Sequence, residues 1–161
     1  MLKNNISVLL AAYNGEKFIE QQIQSVLDQT FKPSKILINI DQSEDKTVSI
    51  FEDFAKKNPE IQILNSNKRF GSAAANFIYL LLNTNLSNIN YIALADQDDL
   101  WKEDKLDRAI QQLQQGYDGY SSNVAAFWKN GRQKIIRKNQ LQKDFDHLFE
   151  SAGPGCTFVL T

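Results

Sequence analysis

With 161 residues, 42% of them hydrophobic and 23% charged, the chain has the composition of one ordinary water-soluble domain, long enough to bury a core. A formal net charge of −1 removes the overall electrostatic case for nucleic acid, and a single cysteine, Cys156, excludes an intrachain disulfide. The first residues lack the apolar segment of a secretory signal, and no run of about 18 apolar residues occurs, so a cytoplasmic setting is expected.

Residues 6–12 (Ile-Ser-Val-Leu-Leu-Ala-Ala) are nearly all apolar, the pattern of a strand buried on both faces. Tyr13-Asn14-Gly15 breaks it, and apolar residues at Phe18, Ile19, Ile23, Val26 and Leu27 predict an amphipathic helix over 16–29. A second strand over 36–40 stops at Asp41. Ser43-Glu44-Asp45 then offers capping oxygens to a helix reaching Lys57 and ended by Asn58-Pro59. Residues 61–64 read as a short strand, 72–83 as a helix, 91–95 as a strand and 102–115 as a helix. The order βαβαβαβα predicts an α/β fold: a Rossmann-like, mostly parallel sheet with helices on both faces and ligands at the carboxyl ends of its strands. After residue 115 the pattern changes. Residues 124–128 and 133–136 flank Asn130-Gly131 as a hairpin, giving a mixed C-terminal region, and 151–161 is a glycine loop running into an apolar strand. The chain stops inside that strand, at Thr161, so a longer natural protein is expected.

Three polar breaks fall at strand carboxyl ends: Ala12-Tyr13-Asn14, Asp41-Gln42-Ser43, and Asp96-Gln97-Asp98-Asp99. They should converge on one edge. The last is the most telling, because three carboxylates within four positions resist full ionisation unless a cation joins them. If the strand continues past Ala95, alternation turns Asp96 and Asp98 to one side. Mn²⁺ or Mg²⁺, which take one or two carboxylates and keep places for phosphate, suit that pair.

Tyr13-Asn14-Gly15, Ser25 to Thr30, Asp41-x-Ser43-x-Asp45-x-Thr47, Gly71 to Phe77, Asp96-x-Asp98-Asp99-x-Trp101 with Lys105-Leu106, and Gly153 to Phe158 follow one another along essentially the whole chain. In this order they resemble the glycosyltransferase family 2 enzymes of the GT-A fold, and most of all the bacterial rhamnosyltransferase-type members that build surface polysaccharide. The resemblance implies one nucleotide-sugar-binding domain over 1–161. Its reaction would be a metal-dependent, inverting transfer from a UDP- or dTDP-sugar to a saccharide or lipid-linked acceptor. It also implies that Tyr13 stacks on the base, that Asp41 accepts the imide N–H of uracil or thymine, and that Asp96 lies near the ribose. Asp98 would hold the metal with Asp96, and Ala12, Asn14, Gly71, Asn76 and Gln97 would complete the nucleotide site. Asp99 would meet the donor sugar or cap the helix from 102. Two departures stand out: Ile40 precedes a single Asp41 where many relatives have adjacent acids, and Gln42 replaces their glycine or asparagine. The general base of such enzymes comes from beyond the glycine loop and its strand. It is therefore expected beyond Thr161, and no residue of this chain is assigned as the base.

Simpler roles compete. The acids after 95 could be a helix-start cluster, although capping needs only one. A calcium loop fails on spacing, since Trp101 falls where glycine is required. Gly71 and Asn76 also suit a helix start and packing, Lys68 and Arg69 read as solvated cations, and His147 and Cys156 read as structural. Lys129, Arg132, Lys134, Arg137 and Lys138 around the hairpin either guard a sheet edge or meet an anionic acceptor or the inner face of the plasma membrane. A nucleotidyltransferase of related fold would need a glycine-rich cationic loop after the first strand, and a non-catalytic nucleotide- or glycan-binding module is the remaining alternative. No Gly-x-Gly-x-x-Gly or Gly-x-x-x-x-Gly-Lys points to dinucleotides or ATP hydrolysis.

Overall fold

The computed structural model describes residues 5–64, 66, 68–137 and 154–161. His147, Lys138 and the 151–153 start of the glycine loop lie outside them. Strands β1 (Ile6–Ala12), β2 (Lys35–Ile40), β3 (Ile61–Leu64) and β4 (Tyr91–Asp96) alternate with helices α1 (Ile19–Leu27), α2 (Thr47–Lys57), α3 (Ala73–Asn83) and α4 (Lys105–Leu113). The short strands β5 (Gly119–Tyr120), β6 (Val124–Phe127), β7 (Gln133–Ile136) and β8 (Val159–Leu160) complete the chain. One six-stranded sheet has the order β3-β2-β1-β4-β8-β5, parallel through the first four strands and antiparallel where β8 joins β4 and β5. β6 and β7 form a separate antiparallel ribbon, as the Asn130-Gly131 turn predicts. No described helix is long and apolar enough to cross a membrane.

β1 is buried along its whole length, and its alternation splits the core in two. Ile6, Val8, Leu10 and Ala12 face α1, α2 and α4 through Ile19, Ile23, Phe51, Leu106 and Ile110. Leu9 and Ala11 face Leu80 of α3 on the other side. Fully burying side chains of this kind stabilises the fold by roughly 1.5–3 kcal/mol each. Because the sheet order reverses at β1, with β2 on one flank and β4 on the other, the carboxyl ends of β1, β2 and β4 open a crevice between them.

Helices α1 and α4 begin three residues later than their sequence pattern predicts. Ahead of α1, the Gly15 carbonyl accepts both the Phe18 and Ile19 N–H groups in a tight turn. The residues ahead of α4 are engaged by α1 instead. Buried Gln29 accepts the Leu106 N–H at 3.0 Å and donates to the Lys102 carbonyl at 2.8 Å, while Thr30 donates to Glu103 and Ser25 accepts the Trp101 N–H. That is the work of the Ser25 to Thr30 segment: it fixes the loop that follows the acidic cluster.

Candidate functional site

A cleft of about 330 Å³ opens at the carboxyl ends of β1, β2 and β4. Tyr13, Asp41, Asp96 and Asp98, remote in sequence, all line it, together with Ala12, Gly71, Asn76 and Gln97. Asn14 and Asp99 do not. Neither does Thr161, the residue beyond which the general base is expected: it follows β8 and donates its N–H to the Asp118 carbonyl at 3.1 Å, next to the start of β5. β4 ends at Asp96 and the chain turns at Gln97 and Asp98, so a turn, not continued strand alternation, carries Asp98 to the same wall as Asp96.

The rim is laced by side chains that satisfy backbone groups. Asn14, at φ 46°, donates its N–H to Ser43 Oγ and accepts the Glu44 N–H through Oδ1, tying the loop after β1 to the loop after β2 beside the cleft. The Gly15 and Glu16 N–H groups go to Thr47 and Asp45. Of the three oxygens expected to cap α2, only Asp45 meets the helix, accepting the Thr47 N–H; Ser43 serves the loops, and the N-cap residue, Lys46, makes no side-chain cap. Gln97 uses its amide at both ends, accepting the Tyr13 N–H and donating to the Tyr13 carbonyl at 2.7 Å. A Cβ on Gly15 would sit 2.9 Å from Gln97 Oε1, so a side chain there would displace this clasp. Tyr13 itself keeps 47% of its surface exposed, leaving its ring free to meet a ligand.

Asp41 is 5% exposed. Its carboxylate accepts the N–H groups of Phe70 and Gly71, each at 2.9 Å, and of Gln42 at 2.8 Å. Burial pushes its pKa up, but these three donors and the Arg69 charge outweigh it and hold Asp41 below the ordinary aspartate value. Gly71 adopts φ +70°, the left-handed region glycine accepts at little cost, and so brings its N–H to Asp41. Ser72 then caps α3 by accepting the Ala75 N–H, and the N-terminus of α3 opens on the cleft. Asn76, 2% exposed, exchanges amide hydrogen bonds with Asn39 of β2 and locks α3 to the sheet. Of the two cations before Gly71, Arg69 lines the cleft while Lys68 lies over the Tyr79 ring.

The acidic cluster has an inner and an outer side. Burial first, then the charges of Asp99 and Asp98, push the Asp96 carboxyl above the usual range, with the Cys156 N–H opposing. Burial also raises Asp99, against the Cys156 thiol and the Lys105 ammonium. Asp99 caps no helix, contrary to one of its two expected roles. α4 starts at Lys105, and Asp99 faces inward to Cys156 with its Oδ2 buried and unpartnered. Cys156 is therefore more than a small buried hydrophobe. Carried on the 3-10 turn Gly155–Thr157, it brings its thiol within 4.8 Å of ligand oxygens of Asp96 and Asp99. Burial and the neighbouring acids push that thiol well above its ordinary pKa, so it stays protonated. Lys105 lies behind it, its ammonium 3.8 Å from the Trp101 ring centroid and without a hydrogen-bond partner, and burial depresses it to about 8. A protonated thiol and an adjacent ammonium make the inner side poor for a cation. The outer side, Asp96 with Asp98 on the cleft wall, has the hard oxygen donors and surplus negative charge that Mg²⁺ or Mn²⁺ require. A second hollow of about 860 Å³, which shares Asp98 with the first, lies between α4 and the ribbon, with Asp99, Trp101, Tyr120 and Phe127 in its walls.

Sequence reasoning missed three contributors: Asn39, Gln29 and the inward-facing pair Lys105–Cys156. Their only sequence signal is a polar residue inside an apolar run (Asn39) or membership of a motif whose purpose is structural.

The family model described as glycosyl transferase family 2 matches residues 7–158. Over 153 residues the chain is 43% identical to the dTDP-rhamnosyl transferase RfbG of Shigella flexneri, covering 94% of this chain and 53% of that protein. Among solved structures, S. aureus TarS 1-349 in complex with UDP-GlcNAc is similar with TM-score 0.63 and 21% identity, over 97% of this chain and 45% of that one. Mannosyltransferase PcManGT from Pyrobaculum calidifontis, in complex with GDP-Man and Mn²⁺, is similar with TM-score 0.67 and 20% identity, over 98% and 44%. At such identities these two establish the shared GT-A fold. The chain spans about half the length of the curated relatives it matches (53% of RfbG). With a family model covering nearly the whole described sheet, and a relative of 43% identity along 94% of the sequence, the chain belongs to glycosyltransferase family 2.

Proposed function

We propose that this chain is the nucleotide-sugar-binding domain of a metal-dependent, inverting glycosyltransferase. It takes a sugar from a UDP- or dTDP-sugar and passes it to a saccharide or lipid-linked saccharide at the inner face of the plasma membrane, in bacterial surface-polysaccharide synthesis. The observation that carries the reading is the convergence of Tyr13, Asp41, Asp96 and Asp98 on one cleft. The name of the rhamnosyl transferase relative favours a dTDP-sugar donor.

In this reading the Tyr13 ring receives the base on its flat face. Asp41, ionised and held by three N–H donors, keeps lone pairs for the imide N–H of uracil or thymine and discriminates against a base edge lacking a donor. Arg69 and the N-terminus of α3, on the same wall, favour the diphosphate. Asp96 and Asp98 would hold the divalent ion, which when bound supplies Lewis-acid stabilisation to the departing diphosphate. Asp99, turned to Cys156, serves the site by shaping the acidic loop. No residue of the cleft is assigned as the general base.

Calorimetry with UDP and with dTDP, in the presence and absence of Mn²⁺, tests the proposal. Binding that requires the ion and weakens at least about tenfold in Asp98→Ala is expected, since a metal ligand on a diphosphate is worth more than ~1.4 kcal/mol. Absence of binding, or binding indifferent to Asp98→Ala, would overturn it.

A further inference from the structure

The β6–β7 ribbon stands apart from the main sheet and is exposed at every residue from 127 to 137. A two-stranded hairpin is marginal by itself in water. This one exposes large apolar side chains besides: Phe127 at 64%, Trp128 at 46%, Ile135 at 67% and Ile136 at 39%.

Pairing register sorts these residues onto two faces. Val124 lies opposite Ile136, Ala125 opposite Ile135, Ala126 opposite Lys134 and Phe127 opposite Gln133. Trp128 continues the ladder by donating its N–H to the Arg132 carbonyl. Residues opposite one another share a face. Phe127, Ala125 and Ile135 therefore form one face, the inner, and all three line the second hollow, which Val124 at the start of the opposite face reaches as well. Trp128, Arg132, Lys134 and Ile136 form the outer face. There the Arg132 guanidinium sits 5.2 Å from the Trp128 ring centroid. Lys129 at the turn and Arg137 at the end of β7 add two more cations, and the whole segment 124–137 contains no Asp or Glu. Among the described residues, none of Lys129, Arg132, Lys134 and Arg137 has a carboxylate partner.

We propose that the outer face of this ribbon docks on an anionic lipid bilayer. Arg132 and Lys134 on this face, with Lys129 at the turn and Arg137 past the end of β7, give the ribbon four cations and no acids, which complement a negatively charged headgroup layer whose attraction is about 1 kcal/mol per basic residue, or roughly a factor of five in partitioning. Trp128 has the amphipathic ring that settles at the boundary of headgroup and chain, and Ile136, further along the same face, is an apolar side chain that can enter below. A protein partner with an acidic surface would meet the charge equally well, but a ribbon with an exposed tryptophan at its turn and an isoleucine further along the same cationic face fits a fluid surface better. Seated this way, the inner face would hold the second hollow open next to the membrane. That last consequence rests on the lipid-linked acceptor proposed above, whereas the bilayer contact stands without it.

Co-sedimentation of the 161-residue chain with vesicles of about one-third phosphatidylglycerol in phosphatidylcholine, against pure phosphatidylcholine, is the test. The proposal expects pelleting only with the anionic vesicles, weakened by salt. In R132Q/K134Q the partition coefficient should fall about twentyfold or more. Trp128→Ala should weaken it by a similar order while Trp128 fluorescence in the parent chain shifts to the blue on binding. UDP and dTDP calorimetry on the same variants, expected unchanged, shows that they are folded and separates this surface from the nucleotide site. Failure to pellet, equal pelleting with neutral vesicles, or a Trp128→Ala change that abolishes self-association in sedimentation while sparing vesicle binding would each overturn the proposal.

Discussion

Asp41 is a scaffold in the structure and, in the function proposed, a reader of the base as well. Its three N–H donors hold the loop of Phe70 and Gly71 against β2, so Asp41→Asn replaces an acceptor by an NH₂ group facing a donor. A loss of about 1–3 kcal/mol in urea unfolding and a fall of more than about tenfold in nucleotide affinity are expected. The pKa sign follows from those donors. Asp41 is depressed below 3.8 in the folded protein, so its contribution is present at neutral pH. It is lost as pH falls from about 4 through the folded value. Asn at position 41 should remove that part of the acid-limb pH dependence, measurable as a smaller change in melting temperature between neutral and acid buffers. Cys156 behaves in the opposite sense. With its thiol 7% exposed and held protonated, modification by a thiol reagent at mildly alkaline pH should run at least about tenfold slower in the folded protein than in urea.

At the scale of elements, strands and helices were legible because hydrophobic periodicity is a local property. The continuous run of β1 and the 3.6-residue spacing of α1 predict their positions to within a few residues. The offsets at α1 and α4, and the two-residue strand β5, come from contacts that no local pattern encodes. In the site, acids at strand ends could be read from sequence, because a carboxylate cluster has few structural excuses. Gln29 could not, since its partners Leu106 and Lys102 lie more than seventy residues away. Removing it in Gln29→Ala leaves the buried Leu106 N–H and the part-buried Lys102 carbonyl short of partners. We expect destabilisation of about 2–4 kcal/mol by denaturant unfolding, with weaker Mn²⁺-dependent nucleotide binding because the loop after Asp99 loses its anchor. Gly71→Ala, at φ +70°, should cost about 1–2 kcal/mol by the same measurement, although open space surrounds the position.

For the molecule as a whole, the acidic cluster is a source of pH-dependent instability. Asp96 and Asp99 have pKa values raised by burial and mutual repulsion, so folding favours their protonated forms and stability declines as pH rises through the ordinary aspartate range toward their folded values. In the reading proposed above, a divalent ion on the outer side would relieve that penalty. Mn²⁺ should therefore raise the melting temperature more at about pH 7 than at about pH 5, where protons compete for the same oxygens, and Asp98→Ala should abolish the difference.

Gln97 joins the tyrosine platform to the acidic turn through one amide, with a hydrogen bond at each end. The two walls of the cleft thus cannot loosen independently. Quieting either one lowers the entropy still to be lost by the other, and such help is mutual by thermodynamic necessity. A nucleoside seated on the ring should make the turn a readier host for the cation, and the cation should return the favour in equal measure. Gln97→Ala should leave two weaker, mutually indifferent binding events in calorimetry, where coupled binding is expected of the native protein.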